Sequence, residues 1–309
     1  MQKIFELLCN AANSCTAKHL ALSGGLDSTI LAYLLKEKKQ DCLVIISKDH
    51  IAHDLTYSQM AAKQFGLTLS IHTYDISQIL DAVEQTIKIL GNFNDIEIRN
   101  NIVPYLAISE VKKLGFDKII TGDGADELFA GYNFLISKSD DELKKDLARI
   151  VKIMHFPSQK IGKELGVTVE SPFCHADIVE FARELLPDEL VGSHNGKKYG
   201  KFILRKTFEG LIPNNIAWRQ KSPMQEGSGT QGLTEFFDGV IPDDTFFEKA
   251  KKIKLSDNVI IRSKESMHYY EIFKKYHTLK QSFDNFCPDC HYKIEENSRF
   301  CRMCGRFPV

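Results

Sequence analysis

Short apolar runs alternate with amphipathic stretches along this chain, and glycine or acidic residues stand where the apolar runs end. That pattern predicts an α/β protein: a parallel sheet with helices on both faces. The composition agrees: 309 residues, 43% hydrophobic and a formal net charge of -1 suit one large globular domain or two. Three expected strand ends carry polar or glycine-rich loops, Ser23 to Asp27, Ser47 to His50 and Gly122 to Glu127. In open parallel sheets, ligands sit beyond such ends.

The elements follow in order. Met1 to Ala17 reads as a helix with Ile4, Leu7, Leu8 and Ala11 on one face. Lys18 to Leu22 reads as the first strand, Ser28 to Lys38 as a helix and Cys42 to Ile46 as a second buried strand. Asp54 to Phe65 is a helix stopped by Gly66, and Leu67 to Thr73 alternates like a strand. Ile76 to Leu90 and Asn101 to Leu114 read as amphipathic helices, and Lys118 to Thr121 as a short strand. Ser137 to about Phe236 is mostly helical in pattern, broken at several prolines, and a further helical stretch runs from about Thr234 to Leu279. The expected organisation is a domain over 1–235, with its sheet core at about 16–135 and a helical part at about 136–235, then a helical linker over 236–282 and a zinc ribbon over 283–309.

The near-zero charge argues against a broad nucleic-acid or membrane footprint. No charged-plus-apolar leader is read at the N-terminus, and no apolar run approaches about 18 residues. A soluble, cytoplasmic protein is therefore expected, with no membrane partner.

The first loop, Ser23-Gly24-Gly25-Leu26-Asp27-Ser28-Thr29, joins an apolar run to a helical pattern. A helix N-terminus offers unpaired N–H groups and partial positive charge, which suit phosphate, and glycines let backbone approach an anion. Ser23, Ser28 and Thr29 add hydroxyls. Asp27 repels phosphate, so it makes sense as a holder of a divalent cation that bridges to phosphates. Neither the Gly-Lys-[Ser/Thr] ending of a Walker loop nor a Gly-x-Gly-x-x-Gly pattern is present. The second loop, Thr121-Gly122-Asp123-Gly124-Ala125-Asp126-Glu127, crowds three carboxylates at a strand end. Their repulsion costs energy unless a cation is near, and magnesium on ATP phosphates supplies one.

Four of the eight cysteines fall in the C-terminal stretch, as Cys287-x-x-Cys290, ten intervening residues, and Cys301-x-x-Cys304. That spacing predicts one tetrahedral structural zinc held by four thiolates. His291 to Phe300 is read as a short hairpin between the two knuckles. A tail this short cannot bury enough core alone, so the metal supplies its stability, roughly 10–16 kcal/mol for small zinc modules.

The first loop resembles the signature of PP-loop ATP pyrophosphatases. Both loops together, with Ser171-Pro172-Phe173, Lys201-Phe202-Ile203-Leu204-Arg205, Leu211-Ile212-Pro213, Trp218-Arg219-Gln220-Lys221 and Gly227-Ser228-Gly229, resemble the synthetase domain of asparagine synthetases over roughly residues 16 to 232. The resemblance implies that Asp27 and Asp126 hold magnesium and that the loop of Ser23, Gly24, Gly25, Asp27, Ser28 and Thr29 grips pyrophosphate. It implies that backbone near Ala21, Ile46, Thr121 and Gly122 frames adenine, with Leu22 among the ATP-binding positions. Lys221 would contact phosphate and stabilise charge at the reacting carboxyl. Asp123 stands where the family usually has Glu, a candidate general base.

Departures accompany the likeness. The family's Glu-x-Arg before Pro-Phe is here Thr168-x-Glu170, on the acceptor side, and Phe173-Cys174-His175 replaces Phe-Leu-Asp. The asparagine-forming members carry an N-terminal glutaminase, whereas here the first strand arrives by Lys18. Free ammonia, another amine, or ammonia from a separate glutaminase subunit is expected instead. The leading reading is an ATP-dependent, AMP- and pyrophosphate-forming amide ligase acting on a small carboxylate. One alternative is a tRNA-modifying PP-loop enzyme that recognises substrate through its zinc ribbon, against which the near-neutral charge stands. The other is a nucleotide-binding regulatory subunit without turnover, against which Asp27, Asp126 and Lys221 stand.

Overall fold

The computed structural model describes residues 1–282, 284–296 and 298–309. The start expected for the ribbon, residue 283, lies outside the described residues, as does Asn297 between its knuckles. Contacts divide the chain into two compact units. Unit 1 comprises Met1–Ile46, Ala52–Thr73 and Ala107–Pro223; unit 2 comprises Ser47–Ile51, Tyr74–Leu106 and Met224–Val309. This division does not run linearly: the 236–282 stretch shares a unit with the ribbon and with 74–106.

In chain order the first half contains α1 (Gln2–Ser14), β1 (His19–Ala21), α2 (Leu26–Leu35), β2 (Asp41–Ser47), α3 (Asp54–Phe65), β3 (Thr68–Tyr74), α4 (Ile76–Leu90), α5 (Asp95–Lys113), β4 (Lys118–Ile120) and α6 (Ala125–Leu128). The expected elements are all there. The largest shift is α5, which begins six residues before Asn101. Its first turn, Asp95-Ile96-Glu97, has no apolar period to reveal it, and is capped instead by the Asn94 side chain accepting from Glu97 N at 3.3 Å.

The strands form one parallel sheet in the order β3-β2-β1-β4, with β5 (Thr168–Glu170) at the far edge. Leu20 stands level with Cys42 on one side and Ile120 on the other. Strand order reverses between β1 and β4, the switch point at which such sheets open a crevice. The apolar core of unit 1 lies under this crevice. Ile4, Leu8, Leu20, Ile30, Leu31, Ile120, Phe129, Phe173, Leu204 and Phe208 are essentially inaccessible. Each such side chain contributes about 1.5–3 kcal/mol.

The region expected to be helical also holds strands. Among α7 (Asp140–Ile153), α8 (Pro157–Leu165) and α9 (Ala176–Arg183) lies β5, whose Thr168-Val169-Glu170 has no apolar run to reveal it, unlike the equally short β1 and β4. After α10 (Pro187–Leu190), β6 (Gly192–His194) and β7 (Lys197–Tyr199) form an antiparallel hairpin that leads through Gly200 and Lys201 into α11 (Phe202–Phe208). The hairpin is held by Trp218, which stacks on His194 at 3.7 Å between centroids. Trp218 lies just beyond α12 (Asn214–Ala217).

Unit 2 is built on α4, the first part of α5, α13 (Met224–Ser228), α14 (Leu233–Val240), α15 (Asp243–Asp257), α16 (Lys264–Tyr276) and the four-cysteine tail. Phe93 is buried between Tyr270 and Phe273, at 4.9 and 5.4 Å. Arg99 and Glu265 form a buried pair at 2.8 Å, to which the Thr234 hydroxyl also donates. Within the tail, the bridges join Gln281 to Tyr292 and Phe286 to Lys293. The hairpin expected over His291 to Phe300 is thus replaced by pairing of its start with residues before the first knuckle. Among the described residues, no helix is long and apolar enough to cross a membrane.

Candidate active site

The first loop leaves β1 as sequence reasoning expects. Gly24 takes φ +71°, and a Cβ there would strike the backbone of Tyr57 and Ser58 on α3. Only glycine meets both demands. Gly25 caps α2, and the Ser23 hydroxyl accepts from Gly25 N at 3.3 Å and lies 3.2 Å from the Ser28 hydroxyl. Thr29 is fully buried, and its hydroxyl has no hydrogen-bond partner among the described residues. The second loop approaches the first closely, since a Cβ on Gly122 would lie 3.1 Å from Asp27 Cβ. Ala21 and Thr121–Gly122 therefore stand on either side of the switch point, with Leu22 tied by its N–H to Leu43 O at 2.9 Å. Ile46 is buried near the end of β2.

Asp27 and Asp126 come together, and what joins them is a residue that sequence reasoning left out of the site. Lys201 Nζ lies 2.6 Å from Asp27 Oδ2 and 2.7 Å from Asp126 Oδ1. Lys221 Nζ meets the other oxygen of Asp126 at 2.5 Å and sits 4.8 Å over the Tyr132 ring. Lys201 is delivered by backbone: its N–H donates to Phe129 O at 2.8 Å, and Phe129 is itself locked edge-on against Phe173. Close approach depends on two glycines. A Cβ on Gly131 would collide with Asp126 Oδ1 and Lys201 Cε, and one on Gly200 with the Ala130 carbonyl oxygen. Buried Arg205 then donates to the carbonyls of Gly200 (2.9 Å), Ala217 (2.6 Å) and Arg219 (3.0 Å), fixing the backbone beside both lysines. The one sequence signal for Lys201 was its place at the head of Lys-Phe-Ile-Leu-Arg.

Charge in the cluster is balanced, two aspartates against two lysines. Burial opposes the charge on Asp126, but Lys201 and Lys221 outweigh it and hold its carboxyl well below the usual carboxylate range. Burial pushes Asp27 up, with Lys201 pulling it back. Asp27 Oδ1 is buried with no hydrogen-bond partner among the described residues. A hard, unpartnered oxygen beside a second carboxylate fits a divalent cation such as magnesium.

Asp123 faces other company. Its Oδ2 accepts from Thr121 Oγ1 at 2.8 Å and from Ser158 Oγ at 2.5 Å. Burial raises its proton affinity and the two hydroxyls lower it, with a net rise. Cys174 Sγ donates to the Asp123 carbonyl at 3.4 Å, and burial followed by Asp123 pushes its thiol up to about 12. Glu127 is not free either, because Tyr132 OH donates to it at 2.6 Å. Beside Lys221 opens a cleft of about 440 Å³ lined by Gly131, Asn133, Ser137, Tyr199 and Gln220. The Thr168-x-Glu170 departure has a structural account: Glu170 accepts from Thr16 N and Ala17 N, both at 2.9 Å, and from Thr16 Oγ1 at 2.8 Å, while Thr168 is exposed.

The four cysteines of unit 2 are all buried, and their sulfurs lie within 4.8 Å of one another. Cys287–Cys304 and Cys290–Cys301 are each 3.6 Å apart. His291 stands outside the cluster, stacked on Phe286 at 5.0 Å. The cluster is seated on unit 2 by Ile260 N donating to Asp289 O (2.7 Å), Phe93 N to Met303 O (2.9 Å) and Arg262 to Cys304 O (2.7 Å).

A parallel sheet whose switch point carries two acidic, glycine-bearing loops defines an α/β protein with these loops gathered at the strand C-termini. The asparagine synthase family matches residues 19–147 and 136–269, and the chain belongs to that family. A zinc-ribbon domain matches residues 286–307, over all four clustered cysteines. The chain is 25% identical over 293 residues to a probable glutamine-hydrolyzing asparagine synthetase of Dictyostelium discoideum, covering 85% of this chain and 52% of that protein. It is 28% identical over 228 residues to the glutamine-hydrolyzing asparagine synthetase B of Escherichia coli, covering 67% and 41%. The chain thus spans about half the length of the curated relatives it matches. A solved NMN synthetase from Francisella tularensis aligns at 12% identity with a TM-score of 0.40, over 91% of this chain and 98% of that one, a likeness too slight to bear on function.

Proposed function

We propose that this chain is an ATP-dependent ligase that joins a carboxylate to ammonia or an amine, releasing AMP and pyrophosphate. The observation that carries the reading is the cluster of Asp27, Asp126, Lys201 and Lys221 at the switch point, with Asp27 Oδ1 unpartnered. Family membership supports it.

The serine loop would receive the β- and γ-phosphates at the N-terminus of α2. A carboxylate oxygen of the acceptor attacks the α-phosphorus; the bond from that phosphorus to the bridging oxygen breaks, and pyrophosphate leaves. The amine nitrogen then attacks the acyl carbon, the acyl–oxygen bond to AMP breaks, and the nitrogen gives up a proton. Asp123, its proton affinity raised by burial, would take that proton as the base. Lys221, at the edge of the cleft, offsets charge on the departing pyrophosphate and on the reacting carboxyl. Magnesium, when bound by Asp27 and Asp126, would neutralise phosphate charge.

Chromatography of the products of labelled ATP, incubated with a panel of carboxylate acceptors and ammonia, tests the reading. AMP and pyrophosphate are expected. ADP and orthophosphate as the sole products would sink it.

A further inference from the structure

We propose that Lys201 makes this site selective for a metal–nucleotide complex over the free divalent ion, because its ammonium fills the space between Asp27 and Asp126 until a polyphosphate draws it away. The inference rests on the ligase reading and goes one step beyond it, to the order in which the site fills.

The geometry excludes joint occupancy of that space. Lys201 Nζ stands 2.6 and 2.7 Å from one oxygen of each aspartate. A divalent ion shared by the same two oxygens would lie at roughly 2.0–2.6 Å from each. Two cations cannot stand on one spot in surroundings of reduced dielectric, where like charges repel far more than in water. Nor can Lys201 drift into solvent. Its side chain is only 6% exposed. Its backbone is fixed by the bond to Phe129 O, and its Cε lies against Gly131, where a Cβ would collide with it. Lys221 differs on each count: of the two aspartates it pairs with Asp126, and its side chain is 24% exposed.

Free metal must therefore displace a buried ammonium and leave it with no counter-charge. A metal–nucleotide complex brings its own anionic oxygens, to which Lys201 can turn by side-chain rotation while its backbone stays fixed. One ammonium thus neutralises the two aspartates in the empty site and the phosphates in the filled one. Asp27 Oδ1, without a partner among the described residues, is one ligand, too few to hold a free ion but enough beside the oxygens that a nucleotide brings.

The test is equilibrium dialysis of the zinc-loaded full chain against Mn2+, with and without ATP. Manganese seeks oxygen ligands and leaves the four thiolates to zinc. Wild type should retain Mn2+ only with ATP. Lys201→Met should bind Mn2+ without nucleotide at least about tenfold more tightly than wild type, a gain that Asp126→Asn in the same chain cancels. Lys201→Arg, which keeps the cation, should behave as wild type. Wild type that takes up Mn2+ as tightly without ATP as with it overturns the inference alone, as does a folded Lys201→Met with no gain. Wild type that takes up no Mn2+ even with ATP overturns the ligase reading as well. Circular dichroism establishes that each variant is folded; if Lys201→Met is not, the wild-type arms still decide.

Discussion

The four cysteines of unit 2 and the two aspartates of unit 1 face the same electrostatic problem, anionic ligands gathered in a confined space, and they meet it in opposite ways. The cysteines are wholly buried, mutually close and matched to a zinc ribbon, a donor set that closes a tetrahedral shell and leaves no open position. The aspartates are a fifth to a quarter exposed, pair with two lysines, and keep one oxygen without a partner among the described residues. A closed shell suits a metal that stays. A site compensated by movable lysines, with an oxygen to spare, suits ligands that come and go. Perturbations should therefore separate cleanly, one class acting through folding of unit 2 and the other through turnover.

The largest effect belongs to the closed site. Cys301→Ser should cost the zinc and with it most of the roughly 10–16 kcal/mol of binding energy that holds such modules folded. Metal analysis should fall from one zinc per chain toward none. Thermal unfolding should lose its unit 2 component, because Phe93, Ile260 and Arg262 all bond to the ribbon. Retained zinc in that variant would break the contrast from the unit 2 side.

Next comes the open site. Asp126→Asn removes a charge that answers both lysines, and turnover should fall at least about a hundredfold. Its zinc content should stay at wild-type level. Near-normal rates would take Asp126 out of the chemistry.

A milder change sharpens the comparison by weakening the support of the ribbon while sparing its ligands. Arg262 donates to Cys304 O at 2.7 Å and pairs with the buried Asp289 carboxylate at 3.3 Å. Arg262→Ala should lower stability by about 1–3 kcal/mol and zinc affinity about tenfold, with AMP formation unchanged, as read by chelator competition beside the activity assay.

The smallest effect, read per pH unit, lies in unit 1, at Asp54. Burial pushes its carboxyl up to about 7, with Arg219, 3.8 Å away, pulling the other way. A carboxyl raised above its unfolded value takes up a proton on folding between about pH 4 and pH 7, so it costs stability as pH rises through that window. Wild type should lose about 1.4 kcal/mol per pH unit there relative to Asp54→Asn. Parallel stability curves would mean that Asp54 titrates normally. Asp126 moves the opposite way because two lysines face it where Asp54 has one arginine.

Legibility in the sequence followed the same division between local and long-range structure. The four cysteines and the strand–turn–helix at Ser23 to Thr29 announce themselves because their chemistry depends on neighbours a few residues apart. The parallel sheet was legible through apolar runs at β1, β2 and β4 and the alternation at β3. What escaped was created by the fold. Lys201 meets Asp27 across 174 residues of chain, and nothing local marks it as the partner of two aspartates. β5 (Thr168-Val169-Glu170) has one apolar residue, and the two strands of the hairpin ahead of Lys201, Gly192–His194 and Lys197–Tyr199, have no apolar run. Glu170 stood out only as a departure from a pattern; its bonds to Thr16 and Ala17 become visible once β5 is in place.

The central claim is that a carboxylate attacks the α-phosphorus of ATP at the Asp27–Asp126 site. Mass spectrometry of AMP formed with acceptors whose carboxylates carry heavy oxygen tests it most directly. The account predicts one heavy oxygen transferred into AMP by wild type, and none detectable from Asp27→Asn or Asp126→Asn. AMP free of the label, at full turnover, would contradict it.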